Sequence, residues 1–228
     1  MSASIALLIS QSHTQAAVIY QSALPGGYGA TSGSTIGGYS GSGQILGAAF
    51  SVTQSVHVDS IGGLFFSSPS NGPNDIFGAI VRLSNVGALP IGNPFSASEV
   101  LGSVVFSVGS ETATDVYAPL SLDLVAGDYA VVFGSGYFGA TGIAAAPGAG
   151  GDLSARYIYW GDGFPGGTSW RDGGHTSERF VVLGTVPEPA SATFVFVAAL
   201  ITLGRRSVQR ANKMPNKTLH PTAGNAPV

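Results

Sequence analysis

The stretch VYAPLSLDLVAGDYAVVF, residues 116–133, decides the fold class of this chain. Residues that favour strands are enriched on both sides of residues 126–128, an Ala-Gly-Asp sequence that is typical of a turn. Because successive side chains in a strand alternate between two faces, Tyr129, Val131 and Phe133 share one face. The pattern predicts two strands joined as a hairpin, and therefore an antiparallel sheet.

Similar short segments recur on both sides of this unit, separated by turns rich in Gly, Pro and Ser. None of them has the period of an amphipathic soluble helix. We therefore expect an all-β chain that forms an antiparallel, jelly-roll-like β-sandwich, with loop or irregular extended chain at residues 24–43 and a loop at residues 68–75. The predicted strands are residues 18–20, 44–55, 56–67, 76–84, 99–108, 115–122, 128–134, 156–160 and 179–183.

A different kind of segment, residues 186–210, follows the last predicted strand. Two prolines that oppose helix formation precede an apolar run at residues 190–203, which an arginine pair ends abruptly. The run has no amphipathic period and predicts a transmembrane helix. At 14 residues it would rise only about 21 Å as a helix, so a buried core helix is the alternative. The residues of this segment that we interpret as a sorting signal are Pro187, Glu188, Pro189, Arg205 and Arg206.

The order of these three parts resembles the PEP-CTERM signal of exopolysaccharide-producing Gram-negative bacteria. That resemblance implies recognition by exosortase, a membrane protease-transpeptidase. It also implies a precursor anchored in the inner membrane, and then delivery to the cell envelope or the extracellular matrix. Five of the nine basic residues follow the apolar run, which places the C-terminus on the cytoplasmic side and the globular part outside.

The N-terminus supports export independently. Residues 4–10 form a short apolar core, and small residues at Ala16 and Ala17 suit cleavage by signal peptidase after general secretion. No Lys or Arg precedes the core, so we interpret residues 1–17 as a signal peptide shortened by a late start codon. A buried N-terminal strand is the alternative.

A second resemblance lies in the opening stretch. Residues 116–133 look like the leucine, alanine-glycine turn, tyrosine and apolar strand of choice-of-anchor domains in bacterial surface proteins. In that class a β-sandwich precedes one of several interchangeable C-terminal anchors. The resulting division of the chain is a signal peptide at 1–17, an extracellular β-sandwich at 18–185, a sorting signal at 186–210 and a disordered tail at 211–228.

The charge of the chain and its lack of catalytic motifs limit the classes of function that we expect. Between residues 18 and 186 there are 11 acidic and four basic residues, a net charge of −7, and such a surface repels nucleic acids. No G-x-S-x-G nucleophile motif and no pair of histidines at metal-ligand spacing is present. We therefore expect a non-catalytic protein without a cofactor or a bound metal, associated with exopolysaccharide or biofilm.

The best candidate site is the segment 151–178, which contains both tryptophans of the chain. Aromatic faces stack on sugar rings and loops carry such sites, so a carbohydrate-binding module is the first alternative function. In the other interpretation the same aromatic residues pack in the core. Further alternatives are a polysaccharide hydrolase and a calcium site at Asp152, Asp162 and Asp172. The candidate carbohydrate-binding residues are Tyr159, Trp160, Asp162, Trp170 and Asp172.

Overall fold

The computed structural model describes residues 16–37, 44–67, 74–109, 111–161, 169–173 and 177–187. These residues form strands and connecting segments without a helix. The strands are β1 (Ala17–Gln21), β2 (Ala23–Leu24), β3 (Ser34–Ile36), β4 (Ile45–Val52), β5 (Val56–Phe65), β6 (Asp75–Leu83), β7 (Val100–Ser107), β8 (Thr114–Leu124), β9 (Gly127–Gly134), β10 (Ala144–Ala146), β11 (Gly151–Asp152), β12 (Arg156–Gly161), β13 (Ser169–Gly173) and β14 (Phe180–Thr185).

Two antiparallel sheets face each other across one apolar core. The first has the order β1-β14-β5-β8 and the second the order β13-β12-β4-β9-β6-β7. Aromatic rings join them: Phe133 of the second sheet lies 5.0 Å from Phe65 and 5.3 Å from Phe180 of the first, between ring centroids. The prediction of an all-β, antiparallel fold is confirmed, and each of the nine predicted strands overlaps an observed one.

The predicted hairpin at residues 116–133 is wrong. β8 pairs with β5 in the first sheet, whereas β9 pairs with β4 and β6 in the second. The turn therefore carries the chain across the core from one sheet to the other. Tyr129 fixes this crossing, because its buried hydroxyl donates a 2.8 Å hydrogen bond to the Val125 carbonyl at the turn. The apolar faces of both strands meet in the core, one from each sheet.

A second apolar layer covers the outer face of the six-stranded sheet. Ala79 and Val81 of β6, and Ala130 and Val132 of β9, are buried there. They pack with residues of the segment 84–99, which we call the covering loop. The central strands of this sheet are consequently buried on both faces.

Two segments have more strand structure than their composition indicates. The stretch 24–43 contains β3, which pairs with β10. Trp170 has glycine-rich neighbours that are typical of a loop, but it lies in the edge strand β13. Backbone pairing with β12 outweighs the local turn composition at that point.

The chain divides into two units by its internal contacts, one ending at Pro187 and the other comprising residues 188–228. Glu188, Pro189, the predicted helix at 190–203, both signal arginines and the predicted tail lie outside the described residues, as do residues 1–15 of the predicted signal peptide. Within the described ranges, no helix has the length and apolar character needed to span a membrane.

Candidate functional site

Both tryptophans are buried beneath the covering loop and do not form an exposed platform. Trp160 is 2% exposed and Trp170 is 6% exposed. The indole Nε1 of Trp160 donates a 3.0 Å hydrogen bond to Asn93 Oδ1, and that of Trp170 donates one of 2.5 Å to the Pro94 carbonyl. Because both rings are enclosed and both N–H groups are satisfied within the protein, the packing interpretation describes these two residues.

The charged groups around them also hold the covering loop. Arg156 donates hydrogen bonds to the carbonyls of Val86 and Ala88, at 3.0 Å and 2.6 Å. Its other terminal nitrogen pairs with Asp172 Oδ1 at 2.5 Å. The Asp172 carboxylate is therefore engaged in an ion pair that anchors the loop.

Glu99 organises the same loop from its interior. The carboxylate accepts hydrogen bonds from the backbone N–H groups of Ile91, Gly92 and Ser96, and from the Ser96 hydroxyl. Burial raises the pKa of Glu99, but these hydrogen bonds outweigh it and hold the pKa below its ordinary value. Glu99 is thus ionised at neutral pH and acts as a structural anchor.

Tyr159 is separated from the other candidates by the sheet itself. Since side chains alternate along β12, Tyr157 and Tyr159 face the side opposite to Trp160. On that side Tyr159 lines a cavity of about 260 Å³. The described lining residues are Ser34, Gln44, Leu46, Gly47, Tyr157, Ile158, Tyr159, Gly173, Glu178 and Phe180.

Glu178 is the charged residue in this lining, and it is only 4% exposed. Its Oε1 accepts a 2.5 Å hydrogen bond from the Ser34 hydroxyl, while its Oε2 has no hydrogen-bond partner among the described residues. The backbone of Glu178 is held firmly, because its carbonyl accepts hydrogen bonds from Ser22 Oγ at 2.7 Å and from Tyr157 OH at 3.0 Å. This half-satisfied carboxylate was not among the candidates that sequence analysis selected.

The remaining predicted site residues give no metal centre within the described part of the chain. Asp162 lies outside the described residues, and the side chain of Asp152 is likewise not described. The described ranges contain no group of three His, Cys, Asp or Glu side chains that could hold one ion.

A second polar cluster lies on the exposed face of the first sheet. His57 Nδ1 is 2.6 Å from Asp123 Oδ1, and His57 Nε2 is 3.6 Å from Asp59 Oδ1 and 3.4 Å from Ser121 Oγ. The serine contact is long for a hydrogen bond. The two carboxylates approach different ring nitrogens, so they do not converge on one metal position. We interpret the cluster as a surface ion pair between neighbouring strands.

The cluster gives a pH-dependent prediction. The hydrogen bond to Asp123 raises the pKa of His57 above its ordinary value, because it favours the protonated ring. The stability that this pair contributes is therefore complete below the unfolded pKa of about 6.5 and is lost as pH rises through the folded pKa. We expect Asp123→Asn to lower the His57 pKa, measured by NMR titration of the ring protons. Asp59→Asn should lower it less. An unchanged midpoint in Asp123→Asn would show that the pair does not form in solution.

Comparison of the chain with protein-family models, with curated proteins and with solved structures returns no match.

Proposed function

We propose that this chain is an exported, non-catalytic protein of the bacterial surface or extracellular matrix, sorted by an exosortase-type system. The observation that carries the proposal is the order of Pro187-Glu188-Pro189, the apolar run at 190–203 and the arginine pair at 205–206. Its partners would be signal peptidase, the general secretion machinery and exosortase, with exopolysaccharide as the surrounding matrix. The precursor would be anchored in the inner membrane by the single helix before its release to the envelope or matrix.

The ends of the sandwich suit removal of both signals. β1 begins at Ala17 and β14 ends at Thr185, and Ala17 lies opposite Gly184 in the antiparallel pair. A cut after Ala16 leaves every strand whole, and a cut after Ala17 removes one residue from an edge strand. Processing at Pro187 likewise lies beyond the last paired residue. Neither cut would expose the core. This supports a mature domain that stays folded after both signals are removed.

We assign the sandwich to the jelly-roll type. β1, β4, β5, β6, β7, β8, β9 and β14 are taken as the first to the eighth strand, with β12 and β13 as an extension. One sheet then has the order first-eighth-third-sixth, and the other second-seventh-fourth-fifth. This alternation of consecutive strands between sheets is the arrangement of two nested Greek keys. It supports a rigid scaffold of the kind expected for a choice-of-anchor domain.

Of the two alternative functions, the carbohydrate-binding module has an observation in its favour, namely the cavity at Tyr159 and Glu178. The polysaccharide hydrolase is less favoured. Glycosidases use two facing carboxyl groups, and Glu178 is the only carboxylate among the described residues of the cavity lining.

Membrane topology tests the proposal. Replacing Arg205, Arg206 and Arg210 by Ser should weaken the cytoplasmic anchor, because cationic residues flanking a spanning helix are costly to translocate. A reporter fused to the C-terminus is expected to be cytoplasmic in the wild type and partly exported in the variant. Arg82→Ser, an exposed substitution within the sandwich, is the control and should leave the reporter unchanged. A fully cytoplasmic reporter in the triple variant would show that these arginines do not set the orientation.

A further inference from the structure

The cavity at Tyr159 and Glu178 combines a buried acid with aromatic walls. It is lined by residues of β4 and β12 from the second sheet, by Phe180 at the start of β14 in the first and Glu178 just before it, and by Ser34 of β3. Tyr157 and Phe180 contribute rings that pack against each other, with centroids 6.4 Å apart, and half-buried Tyr159 contributes a further ring. The volume of the cavity, about 260 Å³, is several times the ~30 Å³ that a water molecule occupies in the liquid. The space therefore suits one small cyclic group.

One oxygen of the Glu178 carboxylate lacks a hydrogen-bond donor among the described residues. A buried polar atom without a hydrogen bond costs about 1–3 kcal/mol, and more when it is charged. Oε2 of Glu178 is such an atom among the described residues, and no described Lys, Arg or His lies within ion-pair distance of it. Neighbouring Arg179 faces the other side of the strand, where it pairs with Asp115. The terminal torsion of a glutamate is soft, so a small rotation can present Oε2 to a donor inside the cavity.

The chemistry of the lining identifies the class of ligand. Ser34, Gln44 and Tyr159 carry hydroxyl or amide groups, which can both donate and accept hydrogen bonds. Leu46 and Phe180 supply apolar contact. A divalent cation would need six or more oxygen ligands, and an ammonium ion would make no use of the donors. A sugar ring presents hydroxyl groups at its edge and C–H groups on its faces. It therefore matches both the polar and the apolar residues of the lining.

We propose that this cavity binds one pyranose residue of a polysaccharide, with a sugar hydroxyl donating to Glu178 and the ring lying against Tyr159. Glu178 is the orienting residue and Ser34 holds its other oxygen in place. The site is distinct from the tryptophan cluster, which lies on the opposite face of β12 and β13. It does not depend on how the chain is sorted, since binding can be measured on purified protein whether or not exosortase processes it.

The test is saturation-transfer NMR on the full-length chain in a detergent without a sugar head group. The probes are the methyl glycosides of glucose, galactose, mannose, glucosamine and N-acetylglucosamine, with methylammonium as the cationic probe. At least one glycoside is expected to bind. Glu178→Gln should weaken that binding by tenfold or more, because the charged acceptor is replaced by a neutral amide that offers only one acceptor oxygen. Glu111→Gln is the matched control, since Glu111 is exposed, and it should leave binding unchanged.

Tyr159→Ala gives a second variant in case Glu178→Gln lowers the amount of folded protein. Tyr159 is half-buried, and its loss should also weaken binding tenfold or more through lost ring contact. A thermal melt of each variant accompanies the binding measurement. Absence of glycoside binding to the wild type would overturn the proposal, as would binding of methylammonium alone. Glycoside binding unaffected by both substitutions would also overturn it, because the ligand would then lie elsewhere.

Discussion

Simultaneous replacement of Pro187, Glu188 and Pro189 by Ala is expected to leave an unprocessed, membrane-retained precursor in the native host. Each proline fixes its own φ angle and disfavours a helical conformation of the residue before it. Together they would keep an extended, protease-accessible segment between the sandwich and the apolar run. Alanines remove this restriction and allow helix to continue toward the sandwich. Immunoblots of the membrane fraction and the medium measure the ratio of precursor to mature protein.

Ser191→Ala is the control for this variant, because it alters the same segment without touching either proline or the acid. It should be processed as the wild type is. Normal processing and release of the triple-alanine protein would contradict the exosortase proposal, whatever the sandwich binds.

Trp170→Ala should produce the largest loss of stability. The indole is 6% exposed, packs against Phe95 at 5.6 Å between ring centroids, and donates to the Pro94 carbonyl. Removing a buried aromatic side chain costs about 3–5 kcal/mol. For a domain of this size that lowers Tm by roughly 6–20 °C. Denaturant unfolding and a thermal melt measure the change.

Val125→Ala is a suitable control for Trp170→Ala, because Val125 is exposed at the turn between β8 and β9. Its effect should stay within about 0.5 kcal/mol. A Trp170→Ala protein that melts within a few degrees of the wild type would refute the burial of this ring. If that variant also lost retention on the host's exopolysaccharide, the result would favour Trp170 as part of an exposed sugar-binding platform.

Strand faces could be predicted from the sequence, but strand partners could not. Tyr129, Val131 and Phe133 share the core face as expected, because alternation is a local property of the backbone. Whether β8 and β9 lie side by side or in opposite sheets depends on which distant strands pair with each of them. β5 and β4 supply those partners, and nothing within residues 116–133 encodes that choice.

The burial of the tryptophans had a signal in a different part of the chain. Residues 76–81 and 129–133 are almost continuously apolar, which is typical of strands covered on both faces. Something therefore had to cover the outer face of the second sheet. The covering loop does so, but its Gly- and Pro-containing sequence has no period, so its position could not be predicted locally.

The position of Glu178 explains why the cavity could not be predicted from the sequence. It precedes Phe180 and Val182 on the inward face of the last strand, so an acid at that position conflicts with the apolar pattern. That conflict is a signal for a functional or strained site. Its meaning depends on Ser34 and Tyr159, which are distant in sequence and meet Glu178 only in the folded sandwich.

Mass spectrometry of the mature protein isolated from its native host tests the central claim most directly, because both of its termini are predicted. We expect an N-terminus at Ala17 or Val18 and a C-terminus close to residues 187–189, without the apolar run or the tail. A protein that retains residues 190–228 at the cell surface or in the matrix would contradict sorting by an exosortase-type system.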